Sequence, residues 1–84
     1  MLAEFEGGGG DIPLLEGVTG YTGGGATNLD GVDASEIEDG EYRMFDHADD
    51  GIRIYLFETS SDAEDSPTII RPDVYTGKLW KLRS

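Results

Sequence analysis

Glycine and negative charge dominate the first half of this 84-residue chain. Ten of its 13 glycines lie within residues 1–31, including the runs 7–10 and 23–25. Residues 1–42 also contain ten acidic side chains and no basic one. Glycine loses more backbone entropy on folding than any other residue, and this stretch has few large apolar side chains whose burial could offset the loss. We therefore interpret residues 1–28 as a Gly-rich acidic arm or linker, and residues 29–84 as a small β domain.

The net charge and the lack of cysteine exclude several classes of protein. A formal net charge of −12 opposes binding to nucleic acid and to anionic membranes, because both require clustered Lys and Arg. A chain without Cys forms no disulfide, thiolate zinc site or cysteine nucleophile. The sequence also has no long apolar stretch for a membrane span and no secretory signal at its start. We expect synthesis in the cytoplasm and no cofactor.

From Tyr42 onward, apolar and polar side chains alternate with the period of two that is typical of half-buried strands. Residues 55–57 are apolar on both faces, which indicates a central strand or an oligomer contact. A hairpin loop is expected between the first two strands. The strands are predicted over residues 42–45, 52–58, 68–71 and 78–83.

One short helical turn is expected before the sheet, over residues 33–40. Asp33 and Glu36 have the spacing of a capping box, and Gly40 can end the turn. The predicted fold class is mainly β, with a small antiparallel sheet or sandwich of about four strands. An extended Gly-rich N-terminal arm precedes it.

The core of such a domain is small. A domain of about 60 residues buries only about 60% of the surface that its unfolded chain exposes. Small scaffolds without disulfides or metals usually gain the missing stability from oligomerisation. We therefore expect a homo-oligomer whose interface uses apolar side chains of the arm and of the central strand. The candidates are Ile12, Leu14, Leu15, Val18, Tyr55 and Phe57.

The acidic hairpin loop is a weak candidate for a calcium site. Asp46, Asp49 and Asp50 could supply carboxylates, but the loop lacks the third-position carboxylate and the twelfth-position Glu of an EF-hand. The alternative is a solvated loop in which Asp and Gly supply the turn geometry. His47 is the only histidine, and no nucleophile motif accompanies it, so we interpret it as a loop side chain. We predict no metal site and no enzyme activity.

Aromatic side chains offer a different hypothesis. Tyr75 and Trp80 could stack against a sugar if both were exposed, which would make the chain a carbohydrate-binding module. Core or interface packing is the alternative, because Trp and Tyr bury large areas at low entropy cost. A third hypothesis is an acidic mimic that occupies a basic partner surface.

A series of short elements runs through residues 29–82. They are Leu29-Asp30-Gly31-Val32-Asp33, Asp39-Gly40, Tyr55-Leu56-Phe57-Glu58, Glu64, Ser66-Pro67, Ile70-Arg71-Pro72-Asp73, Gly77 and Trp80-Lys81-Leu82. Together they resemble a short module of bacteriophage virion proteins, found in fibres, tailspikes and related appendages, including those encoded by prophages.

The resemblance implies a small β-rich unit without catalytic residues, usually part of a homotrimer and preceded by an extended segment. It implies a structural component of a virion appendage, with other virion proteins as partners and assembly in a bacterial cytoplasm. Arg71 departs from the pattern, because such modules more often have a small or apolar residue there.

Overall fold

Four antiparallel strands form one open sheet in the order β1-β2-β4-β3. The computed structural model describes residues 12–84, so predictions about residues 1–11 lie outside the described residues. The sheet confirms the predicted fold class, which is mainly β with about four antiparallel strands. The elements are a 3₁₀ helix (Leu29–Gly31), β1 (Glu41–His47), β2 (Gly51–Thr59), β3 (Ile69–Ile70) and β4 (Lys78–Leu82).

Strands β1 and β2 form the expected hairpin. Their register pairs Met44 with Ile54 and His47 with Gly51, which leaves a loop of residues 48–50. Gly51 has a φ of 77°, a left-handed conformation that closes such short loops and that glycine adopts without strain. Strand β2 also pairs with β4, so it is a central strand, as its apolar character on both faces indicated.

The core lies on one face of the sheet, which we call the inner face. Phe45, Tyr55, Phe57 and Trp80 point to this face from three strands and are each at most 1% exposed. Their rings contact one another in pairs, with centroids 6.0 Å apart for Phe45 and Tyr55, and 4.4 Å apart for Phe57 and Trp80. Aromatic pairs at such distances add stability beyond the area that they bury.

A loop layer covers the inner face, and residues 12–28 belong to it. Val18 is 4% exposed and joins the core cluster, against which Leu15 and Tyr21 also pack. Leu29 N donates to Gly20 O over 2.9 Å, so residues 12–28 are hydrogen-bonded to the 3₁₀ helix that follows them. The described part of the expected arm, residues 12–28, therefore packs against the core and is hydrogen-bonded to the loop that follows it.

The helical turn expected over residues 33–40 is absent. The Oδ1 atom of Asp33 accepts a hydrogen bond from Ser35 N at 3.0 Å, which closes a two-residue turn in place of a helix cap. Ile37 N donates to Ala34 O in a second turn, and Gly40 continues with a φ of 93°. The Asp33 side chain therefore closes a turn, although its spacing from Glu36 is that of a capping box.

Loop residues form backbone hydrogen bonds with both edge strands of the sheet, β1 and β3. At the β1 edge, Met44 N donates to Pro13 O, and Leu15 N donates to Met44 O over 2.8 Å. At the β3 edge, Ile69 and Asp65 exchange two backbone hydrogen bonds of 2.8–2.9 Å. Covered edges do not present free backbone groups to another strand.

Candidate functional site

Asp30 connects the glycine-rich loop to the rest of the domain. It is 7% exposed, and its carboxylate accepts hydrogen bonds from Gly24 N at 2.8 Å and Gly23 N at 3.1 Å. Its backbone N donates to Tyr21 O, and its carbonyl accepts from Asp73 N in the loop between β3 and β4. A buried carboxylate requires such partners, so Asp30 is a structural residue of this loop layer.

A groove of about 460 Å³ opens beside this connection. The carboxyl-bearing residues Asp30, Asp33 and Asp73 line it, together with Gly31 and Val74. Gly31 is required for close packing, because a Cβ there would lie 2.0 Å from Gly25 O. Of these carboxylates, Asp30 already uses both oxygens in hydrogen bonds to Gly23 N and Gly24 N.

A second polar cluster surrounds the phenol of Tyr21. Its hydroxyl donates to Asp50 Oδ2 at 2.5 Å and accepts from Arg53 Nε at 3.1 Å. The hydrogen bond from Tyr21 lowers the pKa of Asp50, and burial together with that bond raises the pKa of Tyr21. The His47 ring stacks on Tyr21 with centroids 4.1 Å apart. These contacts hold the hairpin loop against the loop layer.

The candidate calcium ligands do not converge. Asp50 is committed to Tyr21, and Arg53 lies 3.6 Å from the same carboxylate. Asp49 contributes its backbone N–H to His47 Nδ1 at 3.0 Å, while Asp46 lies in β1 and is exposed. Among residues 12–84, no three His, Cys, Asp or Glu side chains are arranged to hold a metal ion.

The two aromatic side chains proposed for sugar binding are not a stacking platform. Trp80 is 0% exposed and packs in the core, whereas the sugar-binding hypothesis requires an exposed position. The hydroxyl of Tyr75 donates to Ser60 O, and the guanidinium of Arg71 lies 3.8 Å from the centre of its ring. One face of that ring is therefore already covered by a cation.

Three of the six oligomer-interface candidates are buried within the single chain. Val18, Tyr55 and Phe57 are each at most 4% exposed and pack in the core of the single chain. Leu15 is half-buried against the core, and Ile12 is also half-buried. Leu14 is 47% exposed at the β1 edge and remains accessible.

The opposite face of the sheet, here called the outer face, was not among the candidates. Met44 pairs with Ile54 across β1 and β2, and Ile52 and Leu56 follow on the same face of β2. We call these four residues the outer patch. Ile52 is 54% exposed, Met44 and Leu56 are half-buried, and Ile54 is buried at 5% exposed. The period-two pattern of β2 was the signal that could have identified the patch.

Comparison with protein-family models, with curated proteins and with solved structures found no match for the chain. In the part of the chain that the structure describes, no helix has the length and apolar character needed to cross a membrane.

Proposed function

We propose that this chain is a non-catalytic, oligomerising β module of a bacteriophage or prophage virion appendage. The observation that carries the proposal is where the residues of the resemblance lie. Leu29 and Trp80 are 0% exposed in the core, and Asp30 holds the glycine-rich loop. Pro67 O accepts the Tyr55 hydroxyl at 2.6 Å. These residues, which belong to the series that carries the resemblance, help to hold this fold together.

The departure at Arg71 affects the surface alone. Its side chain lies over Tyr75, and its backbone N donates to Glu64 Oε1 at 3.1 Å. The neighbouring Ile70 is 0% exposed and Pro72 is buried, so the short strand keeps its place in the core. A small or apolar residue at position 71 would leave this packing unchanged.

The internal hydrogen bonds of two carboxylates are consistent with a structural role for the domain. Its most buried carboxylate, Asp30, bonds to backbone N–H groups, and Asp50 bonds to Tyr21. Side chains committed in this way hold loops in place. We propose that the module associates with copies of itself, most simply as a trimer, and with neighbouring virion proteins. Leu14 is the interface candidate that the single chain leaves most exposed.

The direct test is to locate the chain in particles. Virions would be purified from the bacterium that carries the gene, after prophage induction where needed, and labelled with an antibody raised against residues 12–84. We expect gold particles on a tail or fibre appendage and stoichiometric amounts of the chain by mass spectrometry. A chain found only in the particle-free fraction would contradict the proposal.

A further inference from the structure

His47 holds the hairpin loop through a nitrogen that accepts hydrogen bonds. Its Nδ1 atom lies 3.0 Å from Asp49 N and 3.0 Å from Asp50 N, and both of these backbone groups donate to it. An imidazole nitrogen accepts a hydrogen bond only when it carries no proton. The ring in this arrangement is therefore neutral, with its one proton on Nε2. Its side chain is 12% exposed and ends β1, directly before the loop of residues 48–50.

The same loop attaches the hairpin to the loop layer. Ala48 N donates to Thr19 O over 3.0 Å. The Tyr21 ring stacks on the His47 ring with an angle of 24° between their planes, and the Tyr21 hydroxyl donates to Asp50. A change in the shape of the hairpin loop therefore acts on the loop layer as well.

A proton added to the neutral ring can bind only at Nδ1, because Nε2 already carries one. The Nδ1 atom then becomes a donor that faces two backbone donors, and both of its hydrogen bonds to the loop are lost. Histidine ordinarily gains its charge between about pH 8 and pH 5, so mild acid is the condition that supplies this proton.

The charged and titratable residues of the elements around the ring are Asp46, Asp49, Asp50, Arg53 and Tyr21. Asp50 Oδ2 lies 3.8 Å from Nδ1 and favours the protonated ring, whereas Arg53 lies 3.6 Å from the same oxygen and opposes it. The Asp50 side chain is 39% exposed, so water weakens its attraction for the ring. The loss of two hydrogen bonds within the loop outweighs this attraction.

We propose that His47 is a pH-sensitive switch of the hairpin loop. When Nδ1 gains a proton, residues 48–50 lose their acceptor and open, and the hairpin holds the loop layer less firmly. At neutral pH the acceptor is free of its proton and the loop is closed. The hydrogen bond from Tyr21 lowers the pKa of Asp50, so this carboxylate stays ionised in mild acid and does not drive the change.

Amide hydrogen exchange measured by NMR tests the switch, with each rate compared with that of an unstructured chain at the same pH. His47→Asn is the matched control, because its Oδ1 atom can accept the same two hydrogen bonds but does not titrate. His47→Phe keeps an aromatic ring beside Tyr21 and removes the acceptor. Emission of the buried Trp80 reports whether each variant is folded.

In the unmodified chain, we expect the protection of the Asp49 and Asp50 amides to fall about tenfold between about pH 7.5 and pH 5, the scale of a lost hydrogen bond. The Ala48 amide should follow, because it bonds to the loop layer. His47→Asn should keep this protection at both pH values, and His47→Phe should lack it at both.

Unchanged protection in the unmodified chain would overturn the proposal. An equal fall in His47→Asn would also overturn it, because a group other than the imidazole would then be titrating. The proposal does not depend on the virion function, so either may fail alone.

Discussion

Replacing Asp30 by Ala tests whether the glycine-rich loop layer is an integral part of the domain. The substitution removes two hydrogen bonds from the backbone N–H groups of Gly23 and Gly24 to a buried carboxylate. A hydrogen bond to a charged group contributes about 1.5–3 kcal/mol. Water can replace the lost hydrogen bonds in part, because Gly23 is exposed and Gly24 is half-buried. We therefore expect a loss of roughly 2–4 kcal/mol in the free energy of unfolding.

Such a loss is large for a chain of this size. At about 0.05–0.15 kcal/mol per residue, 84 residues give a total stability of roughly 4–12 kcal/mol. Urea denaturation followed by Trp80 fluorescence measures the change, because Trp80 is fully buried in the folded state.

Asp33→Ala is the matched control, since it removes the same charge from an exposed position. The Asp33 carboxylate accepts a hydrogen bond from the nearby Ser35 N, which lowers its pKa but connects no distant element. An exposed substitution of this kind usually changes stability by about 0.5 kcal/mol or less. Equal midpoints for the two variants would refute the reasoning that Asp30 holds the layer in place.

Three further predictions concern the buried residues Tyr55 and Trp80. Tyr55→Phe should lower stability by about 1–2 kcal/mol in the same denaturation assay, because the Pro67 carbonyl loses its 2.6 Å partner; an unchanged midpoint would contradict this. Burial raises the pKa of Tyr55 above about 10, the usual tyrosine value. The neutral phenol therefore contributes stability below about pH 10, and this contribution should fall as the pH rises further. Absorbance titration at alkaline pH checks this, and four tyrosines titrating together near the usual value would oppose it. Iodide should quench Trp80 weakly, with or without added sugars; strong quenching that glycans prevent would restore the carbohydrate-binding hypothesis.

The strands could be predicted from the sequence because their signals are local. Alternation over β2 placed Tyr55 and Phe57 on one face and Ile54 on the other, and the Asp-Gly turn markers separated the two hairpin strands. The apolar character of β2 on both faces left a central position and an oligomer contact as alternatives, and its pairing with β4 shows the central position. Short-range patterns of this kind specify strands, and pairing then specifies the sheet.

The loop layer could not be predicted from composition. Its glycines lose much backbone entropy when the layer folds. A few long-range contacts offset this entropy loss. Val18 packs against the core, and Asp30 bonds to two glycine N–H groups six and seven residues earlier. No periodic signal marks these contacts. For Trp80 the sequence left core packing and sugar binding as alternatives, and the structure places the side chain in the core.

The capping-box pattern at Asp33 failed for a related reason. The same side chain can cap a helix or close a turn, and the sequence alone does not choose between them. In the structure Asp33 bonds to Ser35 N, and the chain then enters a second turn instead of a helix.

Light scattering on the size-separated full chain, at micromolar concentration, tests the proposed oligomerising module most directly. The account predicts a mass near three times the 9.1 kDa of one chain, with Leu14→Asp shifting it towards the single-chain mass. A mass of 9.1 kDa for the unmodified chain across the concentration range would contradict the account.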